Sequence, residues 1–472
     1  MTTVQQDAAL GEGLRRALAA GASNAARGGE PVLVSVSVPI PSVDAVTLFE
    51  ASDAEERGLW EQPHERFSLV AIGAAARLTG RGSERFAQVT AAWRRLTSEA
   101  VVETAGPCPL AAPVCLGGFA FDPDRAAETA WRDYPDALLT VPRFLFISRG
   151  GSSWLIASVL AAPDCDVEVE AEAMLTDLSR LPAGGYHVPA HEESMDVAVP
   201  PDDGDADRWK ETVAAVVGEV RSGAVQKLVL ARRVRARARE SLLPAPVLRR
   251  LRTGYGGCTI FAFARGASCF LGATPERLVR LEGRTVRADC LAGSAARGAT
   301  DEEDRSLGEA LLADKKEQHE HALVVDALRK ALGPLCSSLN ASDGPGLLRM
   351  PNVQHLHTPV EGVLAGESHV LELVERLHPT PAAGGLPQQA ALSLIRTYEA
   401  FDRGWYAGPV GWVDGRGGGE FVVAIRSALQ REDEALLYAG CGIVAGSDPE
   451  REYQESCLKL QPMLWAINGQ RA

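Results

Sequence analysis

The stretch GPVGWVDGRGGGEFVVAIRSALQREDEALLYAGCGIV, residues 408–444, holds three apolar runs, at 408–413, 421–429 and 435–444. A glycine-rich turn separates the first two, and the charged residues Arg431, Glu432 and Asp433 separate the last two. This pattern predicts three strands joined as an antiparallel meander. Just beyond, Ser447 or Asp448 can cap a final helix with Pro449 in its first turn. Working back toward the N-terminus, residues 305–332 lack proline and place Leu307, Leu311, Val325, Leu328 and Leu332 at helical spacing, which predicts one long helix. Residues 259–264 and 269–272 read as strands around the turn at Arg265 and Gly266, and 227–232 reads as another. Residues 209–221 are helical, with Val213, Val216, Val217 and Val220 on one face. Runs of strands mixed with separate helices predict an α+β fold rather than alternating βαβ units.

The chain has 472 residues, 46% apolar and 23% charged, the balance of an ordinary globular protein. No window resembles a membrane span, and the N-terminal residues lack the basic-then-apolar order of a secretory signal, so a cytoplasmic protein is expected. Nine scattered cysteines with no Cys-x-x-Cys pair suggest neither a disulfide framework nor a zinc ribbon. A formal charge of −14 argues against a nucleic-acid partner. Any anionic ligand would need a local basic cluster or a metal ion to overcome that field. The polar stretch from Pro200 to Asp207 reads as a linker or surface loop between an Ala-rich segment, 1–204, and a motif-rich region, 205–472.

Two glutamate pairs stand out. Glu317 and Glu320 share a helix face, and Glu452 and Glu455 repeat that spacing on the last helix, with Lys459 four residues on. Two solvated acidic faces are one reading. If the faces meet, their carboxylates need a cation, and oxygen-only ligands suit Mg²⁺. Zinc is disfavoured, because His319 and His321 point apart on a helix and no His-Glu-x-x-His occurs. Lys227 heads an apolar run, where desolvation favours a neutral amine able to act as a base; a strand-end lysine in water is the alternative. Glu276 follows Pro275 in a turn and becomes an acid catalyst only beside a base or ligand. Arg426 lies among apolar neighbours, alternating with Val422 and Ala424, and needs an anionic partner: a substrate carboxylate or a structural one. Gly440 and Gly442 leave backbone N–H groups open to a ligand.

In order along 205–465, these segments resemble the chorismate-binding family, which includes isochorismate, salicylate, anthranilate and aminodeoxychorismate synthases. The resemblance rests on Lys227-Leu-Val-Leu-Ala-Arg232, Gly272-Ala-Thr-Pro-Glu-Arg-Leu278, Leu291-Ala-Gly-Ser-Ala-Ala-Arg-Gly298, Lys316-Glu-Gln-His-Glu-His321 and Val353-Gln-His-Leu356. It continues through Leu377-His-Pro-Thr-Pro-Ala382, Asp402-Arg-Gly-Trp-Tyr-Ala-Gly408, Ala424-Ile-Arg426, Ala439-Gly-Cys-Gly-Ile-Val444 and Glu452-x-x-Glu455-x-x-x-Lys459. It implies one two-layered body of antiparallel sheets flanked by helices, with 1–204 packed on the catalytic region. It also implies a Mg²⁺ ion on Glu320 and Glu455, supported by Glu317 and Glu452 through water, that binds the ring carboxylate of chorismate. Tyr406, Arg426, Gly440, Gly442 and Lys459 match positions around the substrate carboxylates, and Gly293, Ser294 and His355 match further pocket positions.

Within the family, Lys227 fits branches that add water at C2, although aminodeoxychorismate synthases also carry a lysine there. The segment ending at Ala382 resembles the isochorismate synthase form; the anthranilate and salicylate branches tend to have Thr there and a Gly-x-Pro-Lys motif, whose lysine is Gln388 here. The resemblance therefore implies an isochorismate synthase, with Lys227 as base and Glu276 as acid; salicylate and aminodeoxychorismate synthases are the alternatives. A monomer is the family's commoner habit, and menaquinone and catechol-siderophore routes both stay open. The chain departs from the family at Thr274 and Ala231, where Ser is usual, and at Cys441, where Ala is common.

Overall fold

The computed structural model describes residues 3–126, 128–181, 197–198, 205–342 and 344–469. Strand alternation explains the layering. In the strand Thr259–Arg265, Phe261 and Phe263 join Leu116, Phe119 and Phe421 in one buried cluster, while Ile260 and Ala262 join helix residues Leu14, Leu18 and Leu248 in another. Among the described residues the result is a 13-stranded sheet and a 10-stranded sheet. Helices Thr3–Gly28, Ala45–Ala51, Pro244–Gly254 and Pro449–Asn468 pack on the larger sheet; Arg85–Ser98, Lys315–Leu332 and Val370–Leu377 pack on the smaller. This is the expected α+β architecture. Pairing is antiparallel throughout the described ladders except where Val32–Ile40 runs parallel to Val101–Thr104.

Strands from both ends of the sequence interleave. Glu56–Gln62 pairs with Thr259–Arg265 in the larger sheet, and Val114–Phe119 with Pro409–Asp414 in the smaller. Of the polar stretch starting at Pro200, residues 200–204 lie outside the described residues, and Asp205 opens the helix Asp205–Arg221. No described helix is long and apolar enough to cross a membrane.

Two sequence expectations need correction. The run 421–429 is not one strand: Gly419–Val423 belongs to the smaller sheet and Ser427–Arg431 to the larger. The chain changes sheets at 424–426, and Arg426 takes the left-handed conformation there (φ 51°), so it does not alternate with Val422 on a strand face. The neighbouring hairpin crosses at the same level, from Ser268–Thr274 in the larger sheet to Arg277–Glu282 in the smaller. The crossings are stitched together: Ala273 N donates to Arg426 O (3.0 Å), Val423 N to Glu276 O (3.0 Å) and Thr274 Oγ1 to Val423 O (2.7 Å). Glu276 and Arg426 thus enter the site from paired sheet crossings.

The long helix over 305–332 is two helices, Asp301–Ala313 and Lys315–Leu332. Asp314 leaves the helical conformation and caps the second, accepting from Lys316 N (2.8 Å) and Glu317 N (3.1 Å). That break puts Glu317 in the first turn of a new helix, aimed with Glu320 at the final helix.

Candidate active site

A cavity lies at the two crossings. Glu276, Gly293, Ser294, Glu320, His355, Ala382, Tyr406, Arg426, Gly440, Gly442, Glu455 and Lys459 all line it. Lys227, Glu317 and Glu452 stand behind this wall rather than in it. Lys227 Nζ reaches Glu320 Oε1 at 2.8 Å, Glu317 Oε2 accepts from Ser294 N at 3.3 Å, and Lys316 Nζ bridges Glu317 and Glu452 at 2.9 Å each.

Lys227 is 1% exposed at the start of the strand Lys227–Ala238. Its own register is fixed on both sides, opposite Leu386 on one edge and one residue before the Leu228–Ile443 pair on the other. Burial alone would raise the Glu320 carboxyl, but the Lys227 ammonium outweighs it and holds that group below the usual carboxylate range. Gly442 is needed beside this pair: a Cβ there would come within 2.2 Å of Glu320 Oε1 and 2.8 Å of Lys227 Cε. Gly440 and Gly442 stand opposite Ala231 and Val229 of Lys227–Ala238 and line the cavity, and the Gly440 carbonyl accepts from Lys459 Nζ at 3.0 Å.

Glu276 is 5% exposed, and burial pushes its carboxyl up to about 7, with Lys227 and Arg426 pulling partly the other way. The group is therefore a proton donor near neutral pH. Thr274 supports it, since Glu276 N donates to Thr274 Oγ1 at 3.2 Å.

Arg426 Nη2 donates to His355 Nε2 at 3.1 Å. A guanidinium only donates, so His355 Nε2 is the acceptor and Nδ1 carries the proton, donated to Ser294 Oγ at 2.9 Å. The Ser294 hydroxyl is left to donate into the cavity. Burial, with Arg426 next to it, holds the His355 imidazole well below its ordinary range, in keeping with a neutral ring. Arg426 Nε is buried with no partner among the described residues. A buried N–H of this kind calls for an acceptor, and an anionic substrate supplies one.

The four glutamates share one neighbourhood: Lys316 bridges Glu317 and Glu452, and Glu320 and Glu455 line the same cavity. Burial and then Glu320 raise the Glu317 carboxyl; burial and then Glu455 raise Glu452 to about 7. Lys227, Lys316 and Lys459 each pair with members of the set, which leaves four carboxylates facing three ammonium groups. This crowded, oxygen-rich set fits a hard divalent cation. Cys441 Sγ also lies within 4.8 Å of ligand atoms on Glu452 and Glu455; burial drives its thiol well upward, so it stays a protonated neighbour, donating to Glu452 O. His321 is engaged elsewhere, contacting Ala292 O and Thr358 Oγ1 at 3.1 and 2.8 Å.

Sequence reasoning missed Arg403, which lines the cavity and pairs with Glu399. No helical spacing marked it, because Glu399 and Arg403 lie beyond the end of the helix Gln388–Tyr398. Gln388 does not reach the cavity; its Nε2 donates to His378 O and Pro379 O at 3.2 Å, tying the turn that carries Ala382.

The sequence matches the family described as chorismate binding enzyme over residues 18–468. It is 41% identical over 444 residues to the salicylate biosynthesis isochorismate synthase of Pseudomonas aeruginosa, covering 93% of this chain and 91% of that one. Isochorismate synthase MenF of Bacillus subtilis is 35% identical over 449 residues, covering 93% and 94%. Among solved structures, the menaquinone-specific isochorismate synthase MenF of Escherichia coli superposes with a TM-score of 0.77 at 26% identity, covering 96% of this chain and 100% of that one. With the family match spanning nearly the whole chain and the cavity built from the motifs that carry it, the protein belongs to the chorismate binding enzyme family.

Proposed function

We propose that the protein is an isochorismate synthase, which adds water at C2 of chorismate and releases the C4 hydroxyl as water. The observation that carries this reading is Glu276: a buried carboxyl, protonated near neutrality, in the same cavity wall as Glu320, the partner of Lys227. An acid and a base at one cavity are what a displacement of hydroxyl by water requires.

Arg426, Tyr406 and Lys459 hold the enolpyruvyl carboxylate, with Ser294 donating a further hydrogen bond. Glu320 and Glu455 would hold Mg²⁺, with Glu317 and Glu452 supporting them. When bound, the ion supplies positive charge that anchors the ring carboxylate and takes up the Glu320 charge with which Lys227 otherwise pairs. Lys227, as the neutral amine once its proton has passed to solvent, accepts a proton from the water that attacks C2, the ring double bonds shift, and Glu276 protonates the oxygen leaving C4. The names of the relatives support this reaction, and one of them also points to salicylate. Ala382, a small residue in the cavity wall, supports release at isochorismate rather than onward elimination of pyruvate.

Incubation with chorismate tests the reading, with products resolved by mass and chromatography. The expected product is an isomer of chorismate that forms with Mg²⁺ and stops forming with excess EDTA. Salicylate plus pyruvate would move the chain to the lyase branch, and turnover only with ammonia would make it an aminodeoxychorismate synthase.

A further inference from the structure

Glu399 and Arg403 form a buried ion pair whose bonds reach well beyond each other. Arg403 Nε and Nη2 grip Glu399 Oε2 and Oε1 at 2.9 and 2.5 Å. Nη2 also donates to Val229 O at 2.7 Å, and Nη1 to Ala383 O at 2.9 Å. Glu399 Oε1 accepts from Ala231 N at 2.8 Å, and the guanidinium lies 4.3 Å over the Phe121 ring. Most of the N–H groups of Arg403 are thus committed to protein acceptors, although the residue lines the cavity.

The backbone explains why charge is used here. The catalytic strand Lys227–Ala238 pairs along one edge with Glu434–Ile443. On its other edge the short strand Gly385–Leu386 covers only Lys227 and Leu228. Next to it, Val229 N donates to Gly384 O at 2.8 Å. Val229 O and Ala231 N would then be bare edge groups, and buried backbone groups need partners. Arg403 and Glu399 meet them, as a missing strand would. A well-packed apolar pair could match the stability of a buried ion pair, but it could not take up these peptide groups.

We propose that the Glu399–Arg403 pair is a positioning clamp that extends the sheet edge past Leu228. By joining Val229, Ala231 and Ala383, it fixes the catalytic strand against the turn carrying Ala382, and so places Ala382 in the cavity wall and Lys227 behind Glu320. The activity part of this inference rests on the proposed function.

Arg403→Lys keeps a cation beside Glu399 but lacks the planar fork that spans three acceptors. The variant is expected to fold, with faster amide hydrogen exchange over 227–232. Its kcat should fall about 100-fold while the dissociation constants for chorismate and Mg²⁺ stay within about threefold, because misplacement acts on the reacting geometry. In Arg403→Ala, added methylguanidinium should restore part of kcat. A folded Arg403→Lys with wild-type kcat overturns the clamp, and so does loss of chorismate binding in step with kcat. A wild-type chain inert toward chorismate would instead refute the proposed function; the clamp is then judged by exchange alone, and unchanged protection at 227–232 overturns it.

Discussion

Lys227→Ala is expected to lose turnover by about 10²–10⁴-fold, the usual share of a general base, while chorismate and Mg²⁺ still bind. The side chain is buried, and its described ion-pair partner is Glu320. Removing it leaves that carboxylate buried without its cation, which costs about 3–5 kcal/mol in the metal-free protein. Mg²⁺ binds the folded state and should reverse much of this loss. Thermal unfolding with and without Mg²⁺ therefore separates a folding defect from a catalytic one. Mg²⁺ affinity should hold or tighten, since Lys227 competes for Glu320. Parallel loss of metal affinity and rate would show that Lys227 is structural.

Glu276→Gln carries the second large effect, again about 10²–10⁴-fold in turnover, because an amide cannot protonate the departing oxygen. The wild-type carboxyl titrates at about 7, so its acid form is lost as pH rises. Wild-type kcat/KM should fall about tenfold per pH unit on the alkaline side of that value. Chorismate binding to the wild type should weaken there too, as a second carboxylate charge appears beside a dianion, and binding to the variant should not. Stability gives an independent sign. A carboxyl whose folded-state pKa lies above its unfolded value contributes most below the unfolded value, and that contribution is lost as pH rises through about 7. At pH 8 Glu276→Gln is thus expected to be more stable than wild type, by up to about 3 kcal/mol, while being far less active. A less stable variant, or an unchanged pH profile, would remove Glu276 from the acid role.

The α+β class and the helix and strand identities were legible because amphipathic period and turn residues are local signals. Pro449 marked the last helix, and of the two cap candidates, Ser447 and Asp448, it is Asp448 that caps it, accepting from Arg451 N at 3.0 Å. The break at Asp314 was legible in principle, because an Asp followed three residues later by Glu317 is a capping pattern; the continuous apolar spacing obscured it. The break at 424–426 was not legible. Val-Val-Ala-Ile has no turn residue, and the left-handed Arg426 is imposed by strands in two different sheets. Most of the polar residues lining the cavity, Arg403 aside, came from motif resemblance, whereas their partnerships did not. That Lys227 faces Glu320 across 93 positions, and that Lys316 bridges Glu317 to Glu452, depends on how helices dock on sheets. Glu399 and Arg403 were hidden for the same reason, since the strand edge they complete lies far away in sequence.

The most direct test of water addition between Lys227 and Glu276 is turnover of unlabelled chorismate in H₂¹⁸O, with initial-rate product analysed by mass spectrometry. The expected isomer carries one ¹⁸O, at C2. An isomer that forms without label would mean that the C4 hydroxyl migrates within the substrate, and would contradict the assignment of Lys227 and Glu276 as base and acid.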